Sequence, residues 1–259
     1  QATQSRGRII ARQEGIIAGL EIARAVFQRL DSAIVFSPQL TDGSPASAAS
    51  LVANLQGPAQ ALLTGERTAL NFLQRLSGIA TLTRSFVSAV DGTGVRITDT
   101  RKTTPGLRLL EKYAVLCGGG VNHRMGLYDA VLIKENHAAA AGGVGHAARQ
   151  ARMTAAQRGR GEVPIMVEAE NLDDVRELVS LATAERPDRI LLDNMSPDLM
   201  WPALHLIRAA DPPIEIEATG NIDLSTVRAV ADVGTDLISI GALTHSALSL
   251  DISLDVRPT

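Results

Sequence analysis

Two short polar clusters contain residue types that readily bind anionic groups. They are Asp99-Thr-Arg-Lys-Thr-Thr104 and Lys134-Glu-Asn-His137, and each directly follows an apolar run that is typical of a strand. Only three of the 25 basic residues are lysines, and these clusters contain two of them, Lys102 and Lys134. Because arginine supplies nearly all of the remaining positive charge, the two lysines indicate a specific task at these positions.

The charges that follow successive apolar runs are sorted along the chain. The earlier positions are cationic and are joined by His123 and Arg124 after a run of three glycines, a set that suits carboxylates or phosphates. The later positions include the carboxylates Glu168 and Asp193. Such a pair can hold ribose hydroxyls or a water-bound Mg²⁺ on a diphosphate, since Mg²⁺ favours one or two carboxylates plus substrate oxygens.

Two glycine-containing segments near the end of the chain suit a phosphate group. Their residues are Thr219, Gly220 and Asn221 in the first and Ile240, Gly241 and Ala242 in the second. Each segment precedes a predicted helix and offers backbone N–H groups. With the sorted charges, they predict an enzyme that acts on a phosphorylated sugar diphosphate and a small anionic acceptor.

The elements that must position these residues follow a repeated pattern after Gly94. Six apolar runs alternate with helical patterns, at 95–98, 130–133, 164–167, 189–192, 214–217 and 236–240. This pattern predicts a parallel α/β sheet covered on both faces, and six or seven such units favour an incomplete TIM-like barrel over an open sheet. Active sites of α/β barrels lie at the carboxyl ends of the strands. No G-x-G-x-x-G follows the first run, which disfavours a dinucleotide-binding domain.

The part of the chain before residue 90 has a different pattern. Its predicted elements are a helix at 21–30, strands at 33–36 and 50–55, and helices over 58–90 with a break at Gly65 and Glu66. The tail alternates over 249–256 like a half-exposed antiparallel strand, so we expect it to return to this N-terminal part.

Composition excludes several classes of protein. The 259 residues are 45% hydrophobic and 20% charged, as in ordinary globular proteins, and suffice for one large or two smaller domains. A net charge of −3 and 3% aromatic residues argue against a nucleic-acid partner. One cysteine, Cys117, excludes an intrachain disulfide and multi-cysteine zinc sites. Without an apolar run of membrane-spanning length or a signal-peptide pattern, we expect a cytoplasmic protein with no membrane partner.

Seven motifs spread over nearly the whole chain resemble the quinolinate phosphoribosyltransferase family, also called carboxylating nicotinate-nucleotide pyrophosphorylases. The most specific lie in 98–108, with Asp99-Thr-Arg-Lys-Thr-Thr-Pro-Gly106, and in 122–129, with Asn122-His-Arg124. The others lie at 11–20, 65–71, 133–137, 191–194 and 240–246. The resemblance implies transfer of the phosphoribosyl group of phosphoribosyl pyrophosphate to quinolinate, with loss of pyrophosphate and CO₂, giving nicotinate mononucleotide for NAD biosynthesis.

The resemblance also implies a fold and an assembly. It predicts an N-terminal α/β sandwich over 1–90, to which the tail 246–259 returns, and a C-terminal α/β barrel over 91–245. It further implies a homodimer, with room for higher assembly, in which each subunit completes the active site of the other. The family's leading segment is missing, so we expect residues to precede Gln1.

Individual residues receive roles from the same resemblance. The carboxylates of quinolinate would be bound by Thr100, Arg101, His123 and Arg124, with Arg67 reaching in from the other subunit. Lys102 and Lys134 would lie between acceptor and diphosphate, and Glu168 and Asp193 would engage the phosphoribosyl group and its Mg²⁺ cofactor. Both glycine segments would bind the 5-phosphate. One departure is visible, since Thr219-Gly-Asn221 stands where the family usually has Ser-Gly-Gly.

Two other functions remain open at this stage. A sister pyrophosphorylase would use another acceptor on the same scaffold, but four cations around the acceptor favour a diacid. A non-catalytic barrel that binds phosphorylated metabolites would require Glu168 and Asp193 to be turn residues only.

Overall fold

The computed structural model describes residues 4–259. The strands are β1 (Gln4–Ala11), β2 (Gly15–Ile16), β3 (Val35–Pro38), β4 (Pro45–Ala46), β5 (Leu51–Pro58), β6 (Arg96–Thr98), β7 (Val131–Ile133), β8 (Ile165–Ala169), β9 (Arg189–Asp193), β10 (Glu215–Thr219), β11 (Leu237–Ser239) and β12 (Ile252–Pro258). The helices are α1 (Leu20–Leu30), α2 (Ala59–Ala89), α3 (Arg108–Cys117), α4 (Glu135–Ala141), α5 (Val144–Gln157), α6 (Leu172–Ser180), α7 (Pro197–Arg208), α8 (Val227–Ala231) and α9 (Ala242–His245).

The chain divides into two compact units. The first comprises the chain up to Val87 with Lys102–Val121 and Gly241–Thr259, and the second comprises Ser88–Arg101 and Asn122–Ile240. Segment 102–121 therefore groups with the first unit, although the sequence assigned it to the barrel. Within this unit α3 makes polar contacts: Glu111 pairs with Arg75 at 2.8 Å, and the Tyr113 hydroxyl donates to Asp42 at 2.7 Å.

An antiparallel sheet in the order β12-β1-β5-β3 forms the first unit with α1 and α2. Its core joins Ile9 of β1, Phe27 of α1 and Leu73 of α2, all fully buried. The tail lies on this sheet as β12, paired with β1 from Ser5 opposite Pro258 to Ala11 opposite Ile252. The helix α2 is continuous, so the predicted break at Gly65 is wrong. A Cβ at Gly65 would lie 2.8 Å from the ring of Phe27, so this glycine serves close packing of α1 and not a break.

A parallel sheet in the order β6-β11-β10-β9-β8-β7 forms the second unit. Each of the six predicted apolar runs overlaps one of its strands, and helices connect most of them. The strands β6 and β7 are consecutive along the chain yet lie at opposite ends of the order, as in a barrel that is not closed between them. The two units confirm the expected α/β fold class, a sandwich followed by an incomplete parallel barrel.

No helix within residues 4–259, even the 31-residue α2, has both the length and the apolar character needed to cross a membrane.

Candidate active site

The register of the parallel sheet brings carboxylates to one face at its carboxyl edge. Thr219 of β10 pairs with Asp193 of β9, and Glu168 of β8 pairs with Leu191, two residues before Asp193. Because side chains two residues apart point to the same face of a strand, Glu168, Asp193 and Thr219 share a face. The strand β8 extends to Ala169, beyond its predicted end at 167, so Glu168 lies inside the strand and is 7% exposed.

Lys134 and Glu168 form an ion pair on this face. The ammonium group of Lys134 contacts Oε1 of Glu168, and the exposed fractions of the two side chains are 48% and 6%. Glu168 Oε2 is buried and has no hydrogen-bond partner among residues 4–259. Burial raises the pKa of the Glu168 carboxyl, the hydrogen bond and charge of Lys134 lower it, and the charges of Asp193 and Glu135 raise it, so that the pKa lies above 4.5.

His123 supports the backbone that carries Arg124. Its own N–H donates to Asp99 Oδ1 at 2.9 Å, and its Nδ1 accepts the Arg124 N–H at 2.8 Å. A ring nitrogen that accepts carries no proton, so we assign the proton to Nε2, which lies 3.4 Å from Glu217 Oε2. The side chain of His123 is only 6% exposed. Its predicted contact with the acceptor stays a prediction.

Glu217 is a residue whose role the sequence analysis did not assign. It lies within β10, is fully buried, and accepts from Arg189 Nη1 at 2.7 Å. Burial raises its pKa, but the hydrogen bonds of His123 and the Ser239 hydroxyl and the charge of Arg189 hold the pKa below that of an ordinary glutamate. A glutamate within a run expected to be buried on both faces was the available signal.

The guanidinium groups of Arg101 and Arg124 lie within electrostatic range of each other and of Glu168. Burial and the positive charge of Arg101 lower the pKa of Arg124, whereas the charges of Asp129 and Glu168 raise it. Arg124 Nη1 donates to the Ala130 carbonyl at 3.0 Å. Asp129, which the sequence analysis did not single out, accepts the Gly126 N–H at 2.8 Å and so closes the turn after Arg124. Two neighbouring cations of this kind favour an acceptor with more than one negative charge.

Asn194 anchors the first glycine segment. Its N–H donates to the Thr219 carbonyl at 2.9 Å, and its Oδ1 accepts from Asn221 N and Nδ2 at 3.3 and 3.4 Å. Gly220 has φ of +113°, and a Cβ there would lie 2.4 Å from Asn194 Oδ1. The departure at Asn221 is thus accommodated by an amide that bonds to Asn194.

The predicted site residues are divided between the two units. Those of the second unit comprise Thr100, Arg101, His123, Arg124, Lys134, Glu168, Asp193, Thr219, Gly220, Asn221 and Ile240. Most of them end or directly follow its strands. The first unit contains Lys102, Gly241, Ala242 and Arg67. Within it, Lys102 Cδ would lie 3.0 Å from a Cβ at Gly241, and Arg67 is exposed on α2. In the part of the chain that the structure describes, no three or more His, Cys, Asp or Glu residues are grouped to hold a metal ion.

Comparison with known proteins decides the family. The model of the quinolinate phosphoribosyl transferase N-terminal domain matches residues 1–77, and that of the C-terminal domain matches residues 79–255. The chain belongs to the quinolinate phosphoribosyltransferase family. This confirms the family that the motifs of the sequence resemble.

Individual relatives cover the chain almost completely. It is 46% identical over 248 residues to a probable nicotinate-nucleotide pyrophosphorylase [carboxylating] of Bacillus subtilis, covering 96% of this chain and 82% of that protein. It is 39% identical over 264 residues to the mitochondrial quinolinate phosphoribosyltransferase [decarboxylating] 2b of Nicotiana tabacum, covering 98% and 74%. The crystal structure of NadC from Streptococcus pyogenes matches with a TM-score of 0.91 and 41% identity, covering 99% of this chain and 87% of that one.

Proposed function

We propose that this chain joins the ring nitrogen of quinolinate to C1 of phosphoribosyl pyrophosphate, releasing pyrophosphate and CO₂ and giving nicotinate mononucleotide. Family membership and the names of its relatives confirm the expected activity, that of a decarboxylating pentosyltransferase in NAD biosynthesis. The division of roles rests on one observation, the separation of cationic from anionic side chains at the carboxyl edge of the parallel sheet. Arg101 and Arg124 feel each other's charge, as do Glu168 and Asp193, and Lys134 is paired with Glu168.

The acceptor is bound by the two guanidinium groups. Each planar fork can hold a carboxylate through two parallel N–H donors, and the two negative charges of quinolinate relieve the repulsion between Arg101 and Arg124. His123, held by Asp99 and Glu217, keeps the backbone of Arg124 in place.

The lysines act on the leaving group. The nitrogen lone pair of quinolinate forms the bond to C1 as the C1–O bond breaks, and that electron pair departs with the diphosphate. Lys102 and Lys134 stabilise the charge that develops there, a task for which a mobile point charge is suited. The C2–carboxylate bond then breaks, CO₂ leaves, the positively charged ring holds the electron pair at C2, and C2 takes a proton from water.

Glu168 and Asp193 are a donor set that fits Mg²⁺. The carboxylates are close enough for the charge of Asp193 to raise the pKa of Glu168, and the buried Oε2 of Glu168 lacks a hydrogen-bond partner among the described residues. A site with two protein carboxylates suits an ion that takes its other oxygens from water and the diphosphate. When bound, the ion would neutralise charge on the diphosphate.

We assign binding of the ribose 5-phosphate to the two glycine segments. Thr219, Gly220 and Asn221 are held open by Asn194, as described above. In the second segment the Ile240 N–H already donates to the Thr98 carbonyl at 2.9 Å, so the contact there is assigned to Gly241 and Ala242.

The assembly we propose is a homodimer in which Arg67 serves the partner's site. Arg67 is exposed on α2 and has no hydrogen-bond or ion-pair partner within residues 4–259, which leaves its guanidinium group for a ligand on another chain. We also propose a cytoplasmic location, on the ground of the single cysteine.

An assay of all products tests the activity. The full chain is incubated with Mg²⁺, quinolinate and phosphoribosyl pyrophosphate, and pyrophosphate, CO₂ and nicotinate mononucleotide are measured. We expect equal amounts of the three, and none when either substrate is omitted. Binding of phosphoribosyl pyrophosphate without release of pyrophosphate would instead indicate a non-catalytic barrel, and release with a different acid alone would indicate a sister enzyme.

A further inference from the structure

A buried carboxylate in the first unit is fully hydrogen-bonded but has no part in the proposed reaction. Glu111 of α3 is 0% exposed. Its Oε2 accepts the Thr104 N–H at 3.0 Å, and its Oε1 accepts the Thr104 hydroxyl at 2.8 Å. The same Oε1 accepts from Arg75 Nη2 at 2.8 Å and Nε at 3.2 Å. Glu111 therefore fixes both the backbone and the side chain of Thr104, two residues after Lys102.

Arg75 extends this contact to the segment after the second glycine motif. Its Nη1 donates to the Ala247 carbonyl at 3.0 Å, and its Nη2 also donates to the Thr244 carbonyl. One guanidinium group thus joins the carboxylate of Glu111 to two backbone carbonyls that follow Gly241 and Ala242.

Thr244 closes the network onto Lys102. Its hydroxyl, fully buried, donates to the Lys102 carbonyl at 2.8 Å and also lies 3.2 Å from the Gly241 carbonyl. The aliphatic part of Lys102 passes over Gly241, where a Cβ would come within 3.0 Å of Lys102 Cδ. The backbone of Lys102 and that of the Gly241 segment are consequently held by the same set of hydrogen bonds.

We infer that Glu111, Arg75 and Thr244 are positioning residues that set Lys102 and the Gly241–Ala242 backbone for the diphosphate and the phosphate. The inference rests on the proposed function, which assigns those two tasks. A buried carboxylate and its guanidinium partner are costly to separate, so the pair favours one arrangement of the two segments. A displacement of about 1 Å in such groups can lower the rate about 10²-fold.

The test compares Glu111→Gln with Asp236→Asn. Asp236 is a matched control, because it too accepts a backbone N–H, from Ile216 at 2.8 Å, and an arginine, Arg208 at 2.7 Å, but at the amino edge of the parallel sheet. Both variants lose a charged hydrogen bond and should unfold at a lower temperature. We expect Glu111→Gln alone to lower kcat/KM for phosphoribosyl pyrophosphate about 10²-fold and to weaken inhibition by inorganic pyrophosphate equally, with KM for quinolinate unchanged.

A second pair of variants decides the matter if Glu111→Gln does not fold. Thr244→Val keeps the side-chain shape but removes the donor to Lys102, whereas Thr244→Ser keeps the donor. We expect Thr244→Val to weaken pyrophosphate inhibition about tenfold, the value of one hydrogen bond, and Thr244→Ser to restore it.

Failure of this inference differs from failure of the proposed function. If Lys102→Ala raises KM for phosphoribosyl pyrophosphate but Glu111→Gln and Thr244→Val match Asp236→Asn in every kinetic constant, the positioning role is refuted. If wild-type protein releases no pyrophosphate, or Lys102→Ala behaves as wild type, the proposed function or the role of Lys102 is refuted instead.

Discussion

The ammonium group of Lys134 is paired with one oxygen of Glu168, while the other oxygen of that carboxylate is buried without a hydrogen-bond partner among residues 4–259. The two oxygens therefore have different surroundings. One is matched by a cation that the proposed reaction uses at the diphosphate. The other is the oxygen that we propose for Mg²⁺, and burial keeps the whole carboxyl easier to protonate than an exposed glutamate.

The raised pKa of Glu168 predicts an acid limit to activity. Because the pKa lies above 4.5, the carboxylate gains its proton at a higher pH than an ordinary glutamate as the pH falls. Protonation removes the charge that faces Lys134, so kcat/KM for phosphoribosyl pyrophosphate should fall at a higher pH than the titration of an ordinary glutamate would give. A pH profile of Glu168→Gln should be low throughout and should lack this limb. The same limb in the variant would assign it to another group.

Substitutions on the two sides of the site should affect different substrates. Asp193→Asn removes a charge next to Glu168 and should raise KM for phosphoribosyl pyrophosphate and the Mg²⁺ concentration needed for half-maximal rate. Arg124→Ala removes a guanidinium donor for the acceptor and should raise KM for quinolinate. We expect the effect of each variant to be about tenfold or more. Steady-state kinetics with each substrate varied in turn measures both effects. Equal changes for the same substrate in both variants would contradict the division of roles.

Gly220→Ala should damage the phosphate segment specifically. Its Cβ would meet Asn194 Oδ1 at 2.4 Å, in a backbone conformation with φ of +113°. Gly234 is the matched control, since its φ is +96° but a Cβ there meets nothing within 4 Å. Each alanine should cost about 1–3 kcal/mol of backbone strain, measured by denaturant unfolding. Only Gly220→Ala should also raise KM for phosphoribosyl pyrophosphate. A similar rise in KM for Gly234→Ala would contradict the role given to the contact between Gly220 and Asn194.

Subunit mixing tests whether Arg67 acts on the partner's site. Arg67→Ala and Lys134→Ala should each be nearly inactive as homodimers. In a mixed dimer, the site built on the Arg67→Ala chain keeps its own Lys134 and receives Arg67 from the partner, while the other site lacks both. Co-refolded mixtures should therefore regain up to about half of the wild-type activity per mixed dimer, whereas if Arg67 served its own chain, mixing would restore nothing.

Strand and motif positions could be predicted from the sequence where the signal is local. The six parallel strands are short apolar runs, and the chemistry lies directly after them. The strand β1 was missed because its buried side chains include Ser5 and Gly7, which have little apolar character, so that its alternation is not visible. The break expected at Gly65 was wrong because glycine in a helix can serve packing against a distant side chain, here Phe27.

Contacts between residues that are far apart in the sequence could not be predicted from the sequence alone. Glu111 and Arg75 are 36 residues apart, and both belong to the first unit. The burial of His123 against Glu217 likewise depends on which strands are neighbours, and therefore on the sheet order. Asn194 has a positive φ of 52°. The Asp-Asn pair permits this conformation but does not predict it.

The acceptor preference tests the central claim most directly, because the claim is that paired cations at the sheet edge select a diacid. Pyrophosphate release is measured with quinolinate and with nicotinate, which lacks the 2-carboxylate, under the same Mg²⁺ and phosphoribosyl pyrophosphate. Nicotinate leaves part of the charge of Arg101 and Arg124 without a partner, so we expect its kcat/KM to be lower by about 10²-fold or more. Comparable values for the two acids would contradict the account.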